Sequence, residues 1–381
     1  MEKKMPSVME LLEKAKDRKQ HPFLMYENII NTPSLMRECL KDSCYESVQR
    51  LAELIVKRKI KKIFFGGCGT SLFAGEVIGR AFDSLLKIPF SAEDPFETLI
   101  YPPSDLDKES AFLIITHSGN TLVDRQAAQL AKKRGALVIA FTDNPDAAII
   151  PLVDHVVVGP GGRDTAIPKT RSYVTALFRG FMLVSMISDR RFDTDLMTEV
   201  KKLPEISEKA INENETKIKK LVKKWGARNR YLSAGIGPNA WTALEAALKM
   251  METNGMPSFG FEMEEYCHGP ELSLNEGSGV FLYQSGVIGL ERTVSAAKAT
   301  IATGAKLMVI TNQPNAEWPK KADILEVPKT HDLFSPIPFI LPSQLLVYYT
   351  ALHLNRIPDI AGTDNPKIKD VIKILHPPGT H

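Results

Sequence analysis

Ile63-Phe64-Phe65-Gly66-Gly67-Cys68-Gly69-Thr70-Ser71 and Phe112-Leu113-Ile114-Ile115-Thr116-His117-Ser118-Gly119-Asn120-Thr121 share one pattern: an apolar run, a small hydroxyl-rich turn, then a helix-compatible stretch. The helical stretches run over 72–82 and 122–133. Such a turn points backbone N–H groups and Ser/Thr hydroxyls at whatever sits above the helix N-terminus, a geometry suited to a tetrahedral oxyanion. Two turns from adjacent strands can close on one anion. A single Gly/Ser turn is equally an ordinary chain reversal, and Ser118 to Thr121 also makes a fair helix cap. The pairing within one α/β unit is what points to an anion. Neither turn is a Walker loop or a GxGxxG fingerprint, which weighs against a nucleotide.

Outward from these loops, short continuous apolar runs alternate with helical stretches, the pattern of buried parallel strands. Runs begin near Ile63, Phe112, Leu137 and His155, with gaps of 49, 25 and 18 residues, and again near Tyr231, Val280, Leu307 and Ile324, with gaps of 49, 27 and 17. The match implies an internal duplication. Alternating strands and helices predict an α/β fold, two doubly wound parallel sheets with ligands at the strand C-termini. The expected division is a helical segment over 1–57, one unit over 58–189, a charged helical linker over 190–229, a second unit over 230–334, and a C-terminal helix and tail over 335–381. In the first segment Val8, Leu11, Leu12, Leu51, Leu54 and Ile55 recur at helical spacing, and Pro33 reads as a first-turn proline behind a Thr32 cap. The tail carries an apolar helix over 344–354. The second unit has Ser233 to Asn239 and Gln284-Ser285-Gly286 where the first has its hydroxyl loops, so an anion site belongs to the first copy.

Composition bounds the rest. A chain of 381 residues, 44% apolar and 24% charged, is an ordinary globular composition. Its 48 basic and 45 acidic residues leave a charge of +3, which implies no polyelectrolyte partner; no nucleic acid is expected. Lys217, Lys219, Lys220, Lys223 and Lys224 read as the solvated face of a helix. There is no apolar run of membrane-spanning length, and no signal-peptide core near Met1, so no membrane contact and a cytoplasmic location are expected. The four cysteines, Cys39, Cys44, Cys68 and Cys267, complete no zinc pattern and read as reduced thiols, Cys68 and Cys267 as small buried hydrophobes. No histidine spacing suits a metal, and neither metal nor cofactor is expected.

Glu245, Lys249 and Glu252 are spaced by four and three residues, on one face of a helix that Asn239 can cap. Such a trio is an exposed ion-pair ladder, or, because Met250, Met251 and the alanines make the helix largely apolar, a buried carboxylate of raised pKa suited to a general base. His268, in Tyr266-Cys267-His268-Gly269-Pro270, is either a hydrogen-bonded structural histidine or one able to pass a proton near neutrality.

Taken in order, Cys68-Gly69-Thr70-Ser71, Ser118-Gly119-x-Thr121, the stretch Leu244 to Glu252, and His268-Gly269-Pro270 resemble the tandem SIS (sugar isomerase) domain family. The resemblance covers about residues 22 to 375 and is to the isomerase half of glucosamine-6-phosphate synthase and to the fructosamine-6-phosphate deglycases. It implies a site in which Gly69, Thr70 and Ser71 meet Thr116, His117, Ser118, Gly119, Asn120 and Thr121 around the phosphate, with Ser71, Thr116, Ser118 and Thr121 as its ligands. It implies that Lys169 and Thr170 line the sugar, that Glu252 is the base with Lys249 beside it, and that His268 opens the ring from the other subunit of a homodimer. His117, Asn120 and Glu265 lean toward the deglycases. The synthase's glutaminase domain has no counterpart in this sequence, so amidotransfer from glutamine is not expected of this polypeptide. Its C-terminal lysine falls near Asp370-Val371, between Lys367, Lys369 and Lys373. The expected activity is proton transfer between C1 and C2 of a hexose or amino-sugar 6-phosphate, by isomerisation or deamination; the alternatives are an Amadori-type deglycase and a sugar-phosphate-binding regulator. A sulfonate would suit the same loops. Specificity is expected from residues 92–103, 164–173 and 254–266.

Overall fold

The computed structural model describes residues 18–164, 166–377 and 380. Two helices, α1 (Leu24–Cys39) and α2 (Asp42–Lys57), precede β1 (Lys62–Gly66), α3 (Thr70–Leu86), β2 (Phe90–Glu93), α4 (Pro95–Ile100), β3 (Ser110–Ile115), α5 (Leu122–Lys133), β4 (Leu137–Thr142) and β5 (His155–Val158). Next come α6 (Arg171–Phe192) and the long α7 (Leu196–Trp225). The pattern then repeats with β6 (Arg230–Gly235), α8 (Pro238–Asn254), β7 (Ser258–Glu262), α9 (Met263–Tyr266), β8 (Ser278–Gln284), α10 (Leu290–Ala302), β9 (Lys306–Thr311) and β10 (Asp323–Glu326), and closes with α11 (Pro336–His353) and α12 (Pro366–Leu375).

Both sheets are parallel and five-stranded, ordered β2-β1-β3-β4-β5 and, as its counterpart, β7-β6-β8-β9-β10. The duplicated α/β reading therefore holds. β3, β4 and β8 are buried along their whole length, which is why they read as unbroken apolar runs. β2 and β7 left no such signal because polar residues and a glycine break up their apolar ones: the four residues of β2 are all half-buried and Phe259 of β7 is exposed.

The chain leaves β1 toward β2 on one side and then crosses to β3 on the other, so a crevice opens at the C-terminal ends of β1 and β3. Both hydroxyl loops sit there. The helices after the fifth strands form the core: Ser172 to Ser188 of α6 and Pro336 to Ala351 of α11 are buried on every side. α3 packs on α6, α8 on α11, and α3 against α8, so the two repeats meet through the helices that follow their first strands.

Several local expectations change in three dimensions. Pro33 lies inside α1, which continues through it because Met25, Ile29, Met36 and Cys39 are buried on both sides of the proline. The tail helix begins at Pro336 rather than Gln344, since its prolines cluster where α11 starts and only Pro342 falls further in. Asn239 is not the cap of α8, a position held by Gly237; its side chain is buried, donating to Ser335 Oγ at 2.7 Å and accepting from Thr242 Oγ1. Cys39 and Cys44 are buried free thiols within helices, whereas Cys68 is exposed in the loop after β1 and Cys267 is half-buried in the turn after α9. The five lysines of α7 face solvent, as their spacing implies. Val8, Leu11 and Leu12 lie outside the described residues.

Candidate active site

Two glycines let the loops close. A Cβ on Gly67 would stand 2.7 Å from Ser71 Cβ and 3.1 Å from the Ile115 carbonyl oxygen. Gly119 has φ +67° and a Cβ there would meet that of Ala147 at 2.3 Å. The second loop is braced from the end of β4: Thr142 Oγ1 donates to the His117 carbonyl at 3.1 Å, Asn144 Nδ2 to the Ser118 carbonyl at 2.9 Å, and Ala148 N–H to Asn120 Oδ1 at 3.1 Å. Leu122 N–H, at the start of α5, donates to the Thr380 carbonyl at 3.0 Å, which pins the C-terminal tail across the loop.

Two cavities occupy the crevice. The first, about 270 Å³, is lined by Gly69, Thr70, Ser71, His117, Lys169 and Glu252, with Ser172, Tyr173 and Arg179 of α6 as its back wall. The second, about 320 Å³, is lined by Ser71, Thr116, His117, Ser118, Thr121 and Lys169, with Asp124, Arg163, Ile372 and His376 added. They share Cys68, Ser71, Ile115, His117 and Lys169, so they adjoin. Hydroxyls crowd one end of this space and the Glu252 carboxylate borders the other.

Beneath the loops lies a buried ionic cluster. Arg179 donates to Asp143 Oδ1 at 2.7 Å and to the carbonyls of Thr142, Val157 and Thr175. Asp143 Oδ2 is 2.9 Å from His117 Nδ1, and His117 Nε2 accepts the Asp164 N–H at 2.7 Å. An accepting Nε2 makes Nδ1 the protonated nitrogen, donating to Asp143. Burial pushes Asp143 up, but Arg179 and His117 outweigh it and hold the carboxyl below its ordinary value. Both ring nitrogens of His117 are thus taken by protein, and what it offers an anion is its place in the wall.

The face of α8 meets the first loop from the other repeat. Lys249 Nζ donates to Thr70 Oγ1 at 3.0 Å and is paired with the Glu252 carboxylate; Glu245 Oε1 lies 3.5 Å away and accepts from Thr70 at 3.3 Å. The Thr70 hydroxyl is therefore occupied by α8. Burial pushes Glu245 up to about 8, partly offset by Lys249, and leaves its Oε2 without a hydrogen-bond partner. Burial pulls Lys249 down, but Glu245 and Glu252 together raise it above the ordinary lysine value. The buried carboxyl of raised pKa expected on this helix is thus Glu245, while the Glu252 side chain is 31% exposed and reaches the cavity.

Of the residues singled out in the sequence, Gly69, Thr70, Ser71, Thr116, His117, Ser118, Thr121, Lys169 and Glu252 line the adjoining cavities. Five do not. Gly119 and Asn120 turn inward to brace the loop against 142–149. Thr170 is buried at the start of α6, its carbonyl accepting from Gln344. Lys249 stands behind Thr70 and Glu252. His268 is exposed on the loop after α9, with Nδ1–H donating to the Glu264 carbonyl at 2.7 Å.

Residue periodicity passed over Arg163. It follows the Gly161-Gly162 turn after β5 and lines the hydroxyl-rich cavity, with Nε and one terminal nitrogen buried and without a hydrogen-bond partner. An unpaired guanidinium beside Ser118 and Thr121 is a ready-made partner for an oxyanion. Lys169, whose Nζ donates to the carbonyls of Asp164 and Ala166, adds a second cation; burial lowers its pKa against the pull of Asp164 and Glu252. The described residues contain no group of three or more His, Cys, Asp or Glu placed to hold a metal, and no helix long and apolar enough to cross a membrane.

The chain is similar to known proteins. The chain is 29% identical over 301 residues to the glutamine–fructose-6-phosphate aminotransferase (isomerizing) of Clostridium tetani, covering 77% of this chain and 49% of that protein. The same enzyme of Thermococcus kodakarensis is 27% identical over 358 residues, covering 92% of this chain and 58% of that protein. The chain thus spans about half the length of the curated relatives it matches. Among solved structures, the C-terminal domain of the Francisella tularensis glucosamine-fructose-6-phosphate aminotransferase superposes with a TM-score of 0.81 at 21% identity, over 89% of this chain and 98% of that one. The Escherichia coli tagatose-6-phosphate ketose/aldose isomerase gives 0.77 at 19% identity, over 91% and 96%. The SIS domain profile matches twice, over residues 57–186 and 226–354, one match per sheet, and on that ground this chain belongs to the SIS domain family.

Proposed function

We propose that this protein is an enzyme that moves a proton between C1 and C2 of a hexose 6-phosphate or amino-sugar 6-phosphate. One observation carries the reading: the hydroxyl cradle of Ser71, Ser118 and Thr121 and the Glu252 carboxylate border two adjoining cavities, with Ser71 lining both, at a sheet switch point. A phosphate at the cradle, neutralised by Arg163 and Lys169, leaves the sugar chain running toward Glu252. The carboxylate removes the proton from one carbon, the electron pair forms an enediol or enolamine, and the carboxyl, after exchanging its proton with solvent, protonates the neighbouring carbon. Lys249 holds Glu252 in place. His268 is assigned to ring opening in a site completed by a second copy of the chain. The named relatives and neighbours support the substrate class, since their names share a sugar 6-phosphate.

A second reading, release of an amine from an Amadori-type 6-phosphate, has one observation in its favour. Glu252 also borders a third cavity of about 610 Å³, lined by Thr253, Arg356, Asp364 and Asn365, with room for a substituent beyond the sugar. Incubating the protein with a panel of 6-phosphosugars and their amine adducts in deuterated water tests both. Deuterium is expected at C1 or C2 of the true substrate, and the product identifies the outcome; turnover of a panel member without label would rule out the proton-transfer mechanism.

Arg163→Gln tests the anion end. A charge-assisted hydrogen bond is worth about 1.5–3 kcal/mol, so KM for the phosphosugar is expected to rise about 10- to 100-fold. A much smaller change in kcat is expected, because the phosphate is held equally in ground and transition states. An unchanged KM would remove Arg163 from the site.

A further inference from the structure

Asp124 is a negative charge where an anion site would be expected to exclude one. It lies three residues into the first turn of α5, is 3% exposed, and lines the same cavity as Ser71, Ser118, Thr121 and Arg163. Its Oδ1 has no hydrogen-bond partner. Thr116 and Thr121, two of the residues that the cradle offers a phosphate, line the cavity with this carboxyl, and their hydroxyls favour its ionised form.

The surroundings define what the carboxyl can do. Burial pushes it from 3.8 up to about 6, with the two threonine hydroxyls pulling it back. Asp94, at the start of α4, adds a raising charge, Arg125 on α5 a lowering one, and Cys68 faces it from the first loop. The remaining charged or titratable groups of the cavity are His117, Arg163, Lys169 and His376. A polyvalent anion placed in this cavity raises the cost of ionising Asp124 further, so binding and protonation favour each other.

We propose that Asp124 is a specificity-determining residue of this cavity, an internal anion that the ligand displaces. Binding an oxyanion draws one proton from solvent onto Oδ1, the threonine hydroxyls swing to the ligand, and the protonated carboxyl donates a further hydrogen bond to it. The inference rests on the anion-binding reading of the cavity and deepens it. It sets the ligand class as an oxyanion with an acceptor oxygen turned to Asp124, bound more tightly in mildly acidic solution than in alkaline.

Sulfate, whose own charge is constant across the range, is the probe, with inorganic phosphate beside it, both followed by titration calorimetry from about pH 5 to about pH 8. For the unmodified chain, sulfate affinity should fall toward tenfold per pH unit above the titration of Asp124, with about one proton taken up per anion there, read from binding heats in buffers of differing ionisation enthalpy. His376 also weakens anion binding if it loses a proton, so Asp124→Asn separates the two. That variant should bind sulfate more tightly than the unmodified chain in alkaline solution and lose the proton uptake. Sulfate binding with no proton uptake by the unmodified chain, or uptake preserved in Asp124→Asn, would overturn the proposal alone. Failure of both chains to bind either anion at any pH would overturn it together with the anion-binding reading.

Discussion

Glu252→Gln is expected to lower kcat by about 10²- to 10⁴-fold, the range that a positioned general base contributes, while phosphosugar binding stays within a few-fold of the unmodified chain. The amide keeps the size and most of the hydrogen bonding of the carboxylate, so Lys249 retains an acceptor, but it cannot take a proton from carbon. The anion cradle, on the other repeat, is untouched. A steady-state assay on the substrate found by deuterium labelling, paired with calorimetric binding, separates the outcomes. Full turnover by the variant would sink the assignment of Glu252 as the base. The same variant examines the shared site: mixed with His268→Ala chains it should regain turnover, since some mixed dimers carry one intact pair. No recovery would take His268 out of the mechanism.

Arg179→Met should be the most destabilising single change near the site. It removes the guanidinium from Asp143, whose side chain is only 4% exposed, and leaves His117 as that carboxylate's remaining side-chain partner. Breaking one half of a buried ion pair typically costs about 3–5 kcal/mol, because the other charge stays buried. The pH dependence has a definite sign. In the unmodified chain Asp143 titrates below its ordinary value, so its contribution is present above the unfolded-state pKa and is lost as pH falls through the folded one. Without Arg179 burial dominates and the folded pKa lies above the unfolded one, so the variant recovers stability as pH falls. Urea unfolding at neutral and mildly acidic pH measures both quantities. A deficit below about 1 kcal/mol, or one that grows in acid, would contradict the arrangement.

Much of this molecule is legible residue by residue. Strands such as Phe112 to Ile115 and Leu137 to Phe141 are buried on both faces, which leaves an unbroken apolar run in the chain itself. The glycines of the two loops announce close backbone approach, and the repeated spacing of the runs announces the duplication. β2 and β7 could not be read this way, since Ser91 and Glu93 in the one and Ser258, Gly260 and Glu262 in the other break the apolar run. The site divides along the same line. Ser71, Ser118 and Thr121 could be placed at the cavity because their loops have a local grammar; the spacing of three and four residues marked Glu245, Lys249 and Glu252 together, and only the family resemblance singled out Glu252.

Arg163, Asp124 and the Asp143–Arg179 pair have no such grammar. Arg163 is one arginine in a glycine turn, Asp124 resembles any acid in a first helical turn, and Arg179 sits in a helix that otherwise reads as pure core. The roles of Asp143 and Arg179 come from each other across 36 residues, and those of Arg163 and Asp124 from the cavity that distant segments close around them. The amino-acid order by itself determined the two parallel sheets, their switch points and the loops that end there, because burial and backbone conformation are set by near neighbours. Only the packed tertiary structure decided which charges are paired, which are left facing the cavity and which carboxyl on α8 is buried, because electrostatic environment depends on what distant segments bring to the same few ångströms.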